Sequence, residues 1–282
     1  MKAIPESRMA ALIESHEVIL LDAYGVLVNL ESALAGASQL IDVLNDTGRD
    51  YYIVSNSASK LAENAARQYR SFGLAIAPER IITAGSLLIP YFQEHALIGA
   101  RCCVLGTGDS RELARRAGAD VLDAAAVRSG ADFEVLIIAD QAFAPFWDTF
   151  DAVLGSLFRR LDAGKAVRLV LPNPDLIYPR AGGFGFTSGS LALILEAVLA
   201  RRYPGQSGLR CEPLGKPHAM IFSEAARRAG GGRMVMIGDQ LETDILGANR
   251  FGIDSVLLLG GVSLESASAE AQPTFLLRSL DV

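Results

Sequence analysis

The stretch VILLDAY at residues 18–24 is a continuous apolar run with a carboxylate, Asp22, near its end. Such a run is typical of a strand that is buried on both faces of a parallel sheet. In open parallel sheets, ligands bind beyond the carboxyl ends of the strands, near the point where the strand order reverses. The sequence therefore predicts that Asp22 lies where a functional site is expected.

Apolar runs alternate with helical stretches on both sides of this segment. The helical stretches at 32–48 and 60–74 contain or end at glycines that are typical of helix C-caps. This alternation predicts an α/β fold with a doubly wound parallel sheet that is covered by helices on both faces. A second set of strand-like runs in the middle of the chain predicts a separate α/β unit there. These middle runs are CVLGTG (103–108), EVLIIAD (134–140) and VRLVLPNPD (167–175).

The composition limits the class of protein and its partners. The chain has 282 residues, 50% of them hydrophobic, and a formal net charge of −6, so we expect no nucleic acid or anionic membrane as a partner. It contains neither an apolar window long enough to span a membrane nor the apolar core of a signal peptide. Three cysteines without a CxxC pair favour a reducing, cytoplasmic location.

Polar and charged residues follow several of the predicted strands or precede a helix. If the strands are parallel, these groups converge at one edge of the sheet. The candidate residues are Asp22, Ser55, Asn56, Ser57, Lys216, Asp239 and Asp244.

The chemistry of these residues is coherent. A carboxylate such as Asp22 can attack phosphorus or carbon and form a covalent intermediate. Asp22, Asp239 and Asp244, with the backbone carbonyl of Tyr24, offer the oxygen ligands that Mg²⁺ prefers. Ser55 and its neighbours can donate hydrogen bonds to phosphoryl oxygens. Lys216 can balance the carboxylates and hold an intermediate. Each residue alone has an ordinary structural explanation, such as a helix cap or a surface charge.

The ordered set resembles the motifs of the haloacid dehalogenase (HAD) superfamily, and specifically its class IIA, the branch of nitrophenyl phosphatase-like and sugar or nucleotide phosphatases. The segments that carry the resemblance span nearly the whole chain. They are LDAYGVLVN (21–29), IVSNSASK (53–60), LPNPDLIYP (171–179), PLGKPHAMIFSEA (213–225) and MIGDQLETDILGANRFGIDSVLLLGGV (236–262).

The resemblance implies a Rossmann-like core from residues 1–85 and 181–282, with an inserted α/β cap domain at 86–180. It also implies a magnesium-dependent phosphohydrolase that acts on a small phosphorylated metabolite through an aspartyl-phosphate intermediate. The cap would select the substrate, with Asn173, Pro174 and Asp175 near the substrate at the junction of the domains. A turn that merely joins the domains explains these three residues equally well. Monomer and homodimer both stay open.

One position departs from the family pattern. Most phosphatases of this superfamily carry a second Asp two residues after the nucleophile, as general acid and base. Here that position is Tyr24, and a phenol, with a reference pKa of about 10, is a poor base near neutral pH. Three interpretations follow: a slow phosphohydrolase, a non-catalytic phospholigand-binding or regulatory protein, or a 2-haloacid dehalogenase, whose motif is also D-A-Y-G.

Two glycine-containing segments have the composition of phosphate-binding or hinge elements. GTGDS (106–110) has the composition of a phosphate-binding helix start, but a helix cap inside the inserted unit is the favoured interpretation. GGFGFTSGS (182–190) is predicted to be a hinge or a loop near the site.

Overall fold

The computed structural model describes residues 4–260 and 268–282. Gly261 and Val262, which end the last family-like segment, lie outside the described residues, as do the first three residues of the chain and the beginning of its tail. Among the described residues, no helix is long and apolar enough to cross a membrane.

The strands and helices alternate along the chain as the sequence predicts. The strands are β1 (Glu6–Ser7), β2 (Val18–Leu21), β3 (Asp50–Ser55), β4 (Ile81–Thr83), β5 (Arg101–Leu105), β6 (Asp120–Val121), β7 (Val135–Ile138), β8 (Arg168–Leu171), β9 (Ile177–Arg180), β10 (Gly183–Phe186), β11 (Glu212–Pro213), β12 (Met234–Gly238), β13 (Asp254–Leu258) and β14 (Phe275–Leu277). The α-helices are α1 (Met9–Ser15), α2 (Ala37–Asp46), α3 (Ala62–Ser71), α4 (Leu88–Glu94), α5 (Gly108–Arg116), α6 (Ala124–Arg128), α7 (Phe146–Asp162), α8 (Ser188–Arg202), α9 (Ala219–Ala229) and α10 (Leu246–Phe251).

The chain divides into two compact units. The first comprises Met1–Ser55, Ala62–Thr83 and Gly215–Val282, and the second comprises Asn56–Leu61 and Ala84–Leu214. The sequence-based division places 86–180 in the inserted unit, so the two divisions differ at 56–61 and 84–85, and most widely over 181–214. The physical reason is that α8 buries Leu191, Leu195 and Leu199 in the core of the second unit, while β11 pairs with β8.

The first unit contains a seven-stranded sheet in the order β1-β14-β13-β12-β2-β3-β4, and every strand pair in it is parallel. From β2 the chain proceeds to β3 and β4 in one direction, and later to β13 and β14 in the other. The strand order therefore reverses between β2 and β12, which are hydrogen-bonded neighbours. This confirms the doubly wound parallel sheet and identifies the carboxyl ends of β2 and β12 as the switch point.

Helices cover both faces of this sheet. Alternate strand residues such as Ile19 and Ile237 share one core with α1, α2 and α3, while α9 packs on β3 and β4. Leu20 and Met236, which point to the opposite face, are equally buried. Burial on both faces explains why these strands read as unbroken apolar runs. Each fully buried aliphatic side chain contributes roughly 1.5–3 kcal/mol of transfer free energy.

The second unit is built around its own five-stranded parallel sheet, in the order β11-β8-β7-β5-β6. Helices α7 and α8 bury their apolar faces against it. The glycine-rich segment 182–190, predicted to be a hinge or loop, instead supplies strand β10 of an antiparallel hairpin with β9 and the first residues of α8.

Candidate active site

Asp22 lies at the switch point of the first unit's sheet. It directly follows the four buried residues of β2, and its backbone N–H donates to the carbonyl of Ile237 at 3.0 Å, which extends the pairing with β12 by one residue. The side chain is only 8% exposed, so the carboxylate is largely buried. The apolar run that predicted the strand thus holds this carboxylate rigidly at the sheet edge.

Asp239 directly follows β12 and is fully buried. The loop that follows Asp22 passes close to it at Gly25, whose φ is +87°. A Cβ atom on Gly25 would lie 2.2 Å from Oδ2 of Asp239, a distance that no real contact allows. Glycine is therefore required at position 25 both by the backbone conformation and by the closeness of the carboxylate.

Asp244 reaches the same edge through a single turn of π-helix at Leu241–Ile245. In this turn the N–H of Ile245 donates to the carbonyl of Gln240 at 3.2 Å, and the N–H of Gln240 donates to Oδ2 of Asp244 at 3.1 Å. Gly238 makes the turn possible, because a Cβ there would lie 2.2 Å from Cβ of Asp244. Turns of this kind occur frequently at functional sites.

Lys216 joins two of these carboxylates. Its Nζ donates to Oδ1 of Asp22 at 2.7 Å and to Oδ1 of Asp244 at 2.6 Å, and the side chain is 3% exposed. Burial alone would lower the pKa of the ammonium, but the charges and hydrogen bonds of the two carboxylates raise it above its ordinary value. Lys216 is therefore a buried cation with a fixed position.

The buried cluster carries more negative than positive charge. Carboxylate oxygens of Asp22, Asp239 and Asp244 lie within 4.8 Å of one another, and Lys216 supplies one ammonium against them. The pKa of Asp244 is raised to about 8, because burial and the charge of Asp22 outweigh the opposing effect of Lys216. A divalent cation would relieve this repulsion.

The donor set also fits a divalent cation. Carboxylate oxygens are the ligands that hard divalent cations such as Mg²⁺ and Ca²⁺ prefer, and three of them lie within 4.8 Å of one another. Among the described residues, Asp22, Asp239 and Asp244 form the group that would hold a metal ion in this unit.

The residues of the second family-like segment, here called motif II (Ser55, Asn56 and Ser57), divide between the two units. Ser55 ends β3 opposite Thr83 of β4 and is buried, on the strand that pairs with β2. Asn56 and Ser57 belong to the second unit. There Nδ2 of Asn56 donates to Oδ1 of Asp175 at 2.8 Å, and Oδ1 of Asn173 accepts from the N–H of Asp175 at 2.9 Å.

Of the sequence-predicted residues, the structure brings Asp22, Lys216, Asp239 and Asp244 together. Tyr24 is half-buried, and its backbone forms an isolated bridge with Val28. The metal-binding role of the Tyr24 carbonyl stays a prediction, as do the phosphate-binding roles of the motif II residues and the Asn173–Asp175 segment.

Tyr69 of α3 was not predicted to lie near the site. Its pKa is raised, first by burial and then by the nearby negative charge of Asp22. The spacing of Ala65, Ala66 and Tyr69 on α3 indicates only that the tyrosine faces the core. No sequence signal places it beside Asp22.

Known protein families and individual proteins resemble this chain. A family model for haloacid dehalogenase-like hydrolases matches residues 19–120, and a HAD-hydrolase-like model matches residues 213–282. An acid sugar phosphatase of Staphylococcus aureus (strain MRSA252) is 23% identical over 273 residues, which cover 95% of this chain and 97% of that protein.

Two solved structures share the fold over almost the whole chain. One is a possible sugar phosphatase from Cytophaga hutchinsonii, with a TM-score of 0.79, 25% identity and 99% coverage of both chains. The other is a glycerol phosphate phosphatase from Mycobacterium tuberculosis in complex with calcium, with a TM-score of 0.79, 22% identity and coverage of 96% of this chain and 75% of that one. This chain belongs to the haloacid dehalogenase superfamily. Within the superfamily it falls in class IIA.

The closeness of Gly25 to Asp239 predicts that Gly25→Ala disturbs the carboxylate cluster. Gly73→Ala is the matched control, because Gly73 has φ +83° but no atom within 4 Å of the added Cβ. Both variants bear the left-handed strain of about 1 kcal/mol, and only Gly25→Ala adds the clash. We expect Gly25→Ala to lose at least ~2 kcal/mol more unfolding free energy than Gly73→Ala in urea titrations. Equal losses would contradict the close approach.

Proposed function

We propose that this chain is a magnesium-dependent phosphohydrolase that acts on a small phosphorylated metabolite through an aspartyl-phosphate intermediate. The observation that carries the proposal is the position of Asp22, a rigid buried carboxylate held by Lys216 beside Asp239 and Asp244. The sugar phosphatase and glycerol phosphate phosphatase relatives support a phosphorylated sugar or polyol as the substrate class.

In the first step, a carboxylate oxygen of Asp22 forms a bond to phosphorus. The bond from phosphorus to the ester oxygen breaks, and its electron pair leaves with that oxygen. Lys216 fixes the orientation of Asp22 and opposes the charge on the phosphoryl oxygens, while Ser55 donates a hydrogen bond to one of them. A water oxygen then bonds to phosphorus as the bond from phosphorus to the Asp22 oxygen breaks, so that inorganic phosphate leaves with the water protons and Asp22 is regenerated as a carboxylate.

Mg²⁺ held by Asp22, Asp239 and Asp244 would neutralise phosphoryl charge and position the group for attack. The backbone carbonyl of Tyr24 would complete this ligand set. Such an acidic set favours the phosphatase over the dehalogenase, since departure of halide requires no phosphoryl charge to be neutralised. It also distinguishes the site from a simple anion-binding pocket, which would need cations rather than carboxylates.

Tyr24 determines which substrates the site can turn over. Without a second carboxylate, the leaving group receives no proton from that position, so leaving groups that are stable as anions are favoured. We therefore expect the enzyme to turn over alkyl phosphates slowly. The non-catalytic phospholigand-binding protein is the limiting case, in which turnover falls to zero.

We also propose a cytoplasmic location, which the three buried free cysteines Cys102, Cys103 and Cys211 support. The net charge of −6 supports a small molecule rather than a nucleic acid or a membrane surface as the partner. We propose that the second unit serves as the cap. The oligomeric state is compatible with a monomer or a homodimer.

The nucleophile assignment predicts that Asp22→Asn abolishes hydrolysis of nitrophenyl phosphate in Mg²⁺. An amide cannot form the acyl phosphate, so we expect the rate to fall on the order of 10³-fold or more. Asp42→Asn, at an exposed position of α2, is the matched control and should retain full activity. EDTA should abolish wild-type activity, and excess Mg²⁺ should restore it. Undiminished hydrolysis by Asp22→Asn would refute the assignment.

The missing general acid predicts a gain of function in Tyr24→Asp. We expect turnover of glycerol phosphate to rise about 10²-fold, because protonation of an alkoxide leaving group contributes that much or more. Nitrophenyl phosphate should gain less, since nitrophenolate leaves unprotonated. Tyr24→Asn controls for the loss of the ring. An equal gain in Tyr24→Asn, or no gain in a folded Tyr24→Asp that binds Mg²⁺, would count against a general-acid deficit at this position.

A further inference from the structure

The segment Asn56–Leu61, which directly follows Ser55, is built into the second unit by hydrogen bonds along its length. Three of these bonds come from side chains at the start of α5, and a fourth comes from the backbone of Gly85. The bonds run from the Gly85 N–H to the Ser57 carbonyl at 3.2 Å, from Ser110 Oγ to the Ala58 carbonyl at 2.7 Å, from Thr107 Oγ1 to the Ser59 carbonyl at 2.7 Å, and from the Leu61 N–H to Asp109 Oδ2 at 2.9 Å.

This arrangement gives GTGDS (106–110) its role. Thr107 and Ser110 cap α5 reciprocally, which confirms the predicted helix cap. The same two hydroxyls donate to the carbonyls of Ser59 and Ala58. The start of α5 therefore fixes the polypeptide that carries motif II.

The first residue of the segment has a different partner. Asn56 is 6% exposed, and its Nδ2 donates to the carboxylate of Asp175, which lies 119 residues further along the chain. This hydrogen bond is partly buried, and because its acceptor is charged it is stronger than one between neutral groups. Asn56 is thereby fixed in orientation.

Asp175 is in turn held rigidly by the start of α8. The N–H of Gly189 donates to the Asp175 carbonyl at 3.0 Å, and Ser188 Oγ donates to the Asn173 carbonyl at 2.9 Å. Gly189 packs so closely that a Cβ there would lie 2.3 Å from the carbonyl oxygen of Pro174. Asn173 closes the turn by accepting from the Asp175 N–H.

We propose that Asp175 is a positioning residue for the phosphate-binding chain: through its hydrogen bond to Asn56 it fixes the polypeptide immediately after Ser55. The inference rests on the proposed phosphohydrolase function and deepens it. It assigns Asn56, Asn173 and Asp175 to a supporting bond network in place of direct phosphate binding. A carboxylate such as Asp175 would repel a phosphoryl dianion, which favours the supporting role.

A reciprocal exchange of the two side chains tests this role. Asn56→Asp alone sets two carboxylates against each other and should raise KM and lower kcat/KM for nitrophenyl phosphate about tenfold or more, because small misplacements at a reacting centre are costly. Asp175→Asn alone keeps an amide acceptor and should change kcat/KM less. The double variant Asn56→Asp/Asp175→Asn restores an amide-to-carboxylate bond with its direction reversed. It should recover kcat/KM to within about threefold of wild type.

Gln93→Glu on α4 adds the same charge at an exposed position and should behave as wild type. The thermal unfolding midpoint and the Kd for inorganic phosphate are measured for every variant.

Failure of the double variant to recover, with activity as low as that of Asn56→Asp, would show that Asn56 contacts phosphate directly and would overturn the proposal. So would a lower unfolding midpoint with unchanged kinetic constants, which indicates a purely structural bond. If the wild-type protein binds inorganic phosphate but hydrolyses no ester, the proposed function is refuted. The positioning role is then still tested by the Kd for phosphate, which should weaken in Asn56→Asp and recover in the double variant.

Discussion

The ammonium of Lys216, buried between Asp22 and Asp244, is the interaction on which the rest of the site depends. Three carboxylates collected at one sheet edge repel one another, and burial makes this repulsion stronger than it would be in water. Lys216 offsets part of it and fixes two of the three side chains. Removal of one partner from such a buried group costs about 3–5 kcal/mol, because it leaves an uncompensated charge. The negative charge that remains is what makes the cluster suited to a divalent cation.

The strand order of the sheet brings these groups together, independently of the interactions among them. Asp22 and Asp239 follow β2 and β12, the two neighbouring strands between which the sheet reverses its order. Gly25 and Gly238 then allow the following loops to approach within distances that any side chain would prevent. The site therefore combines short, fully buried apolar strands, which give rigidity, with two glycines, which permit the close approach. A carboxylate held in this way needs little reorganisation to act as a nucleophile.

The sequence predicted the features that depend on local pattern. Apolar runs gave β2, β3 and β12, and the carboxylates at the ends of β2 and β12 followed from the geometry of parallel sheets. Which sheet a helix packs against is decided by the tertiary fold. The apolar spacing of α8 therefore could not show that this helix joins the second sheet. For that reason the predicted unit boundary at residue 180 differs from the observed one. The bond from Asn56 to Asp175 spans 119 residues and leaves no local signal. The sequence shows that residues 25 and 238 are glycines, but it does not show which carboxylates they approach in the fold.

The central claim, that Asp22, Asp239 and Asp244 form one divalent-cation site, is tested most directly by calorimetric titration with Mg²⁺. The account predicts that the wild-type chain binds about one ion and that Asp239→Asn binds it at least ~10-fold more weakly, since a direct ligand should matter no less than its supporting partners. Asp42→Asn should bind as wild type does. Absence of Mg²⁺ binding by the folded wild-type chain, or equal affinity in Asp239→Asn, would contradict the account.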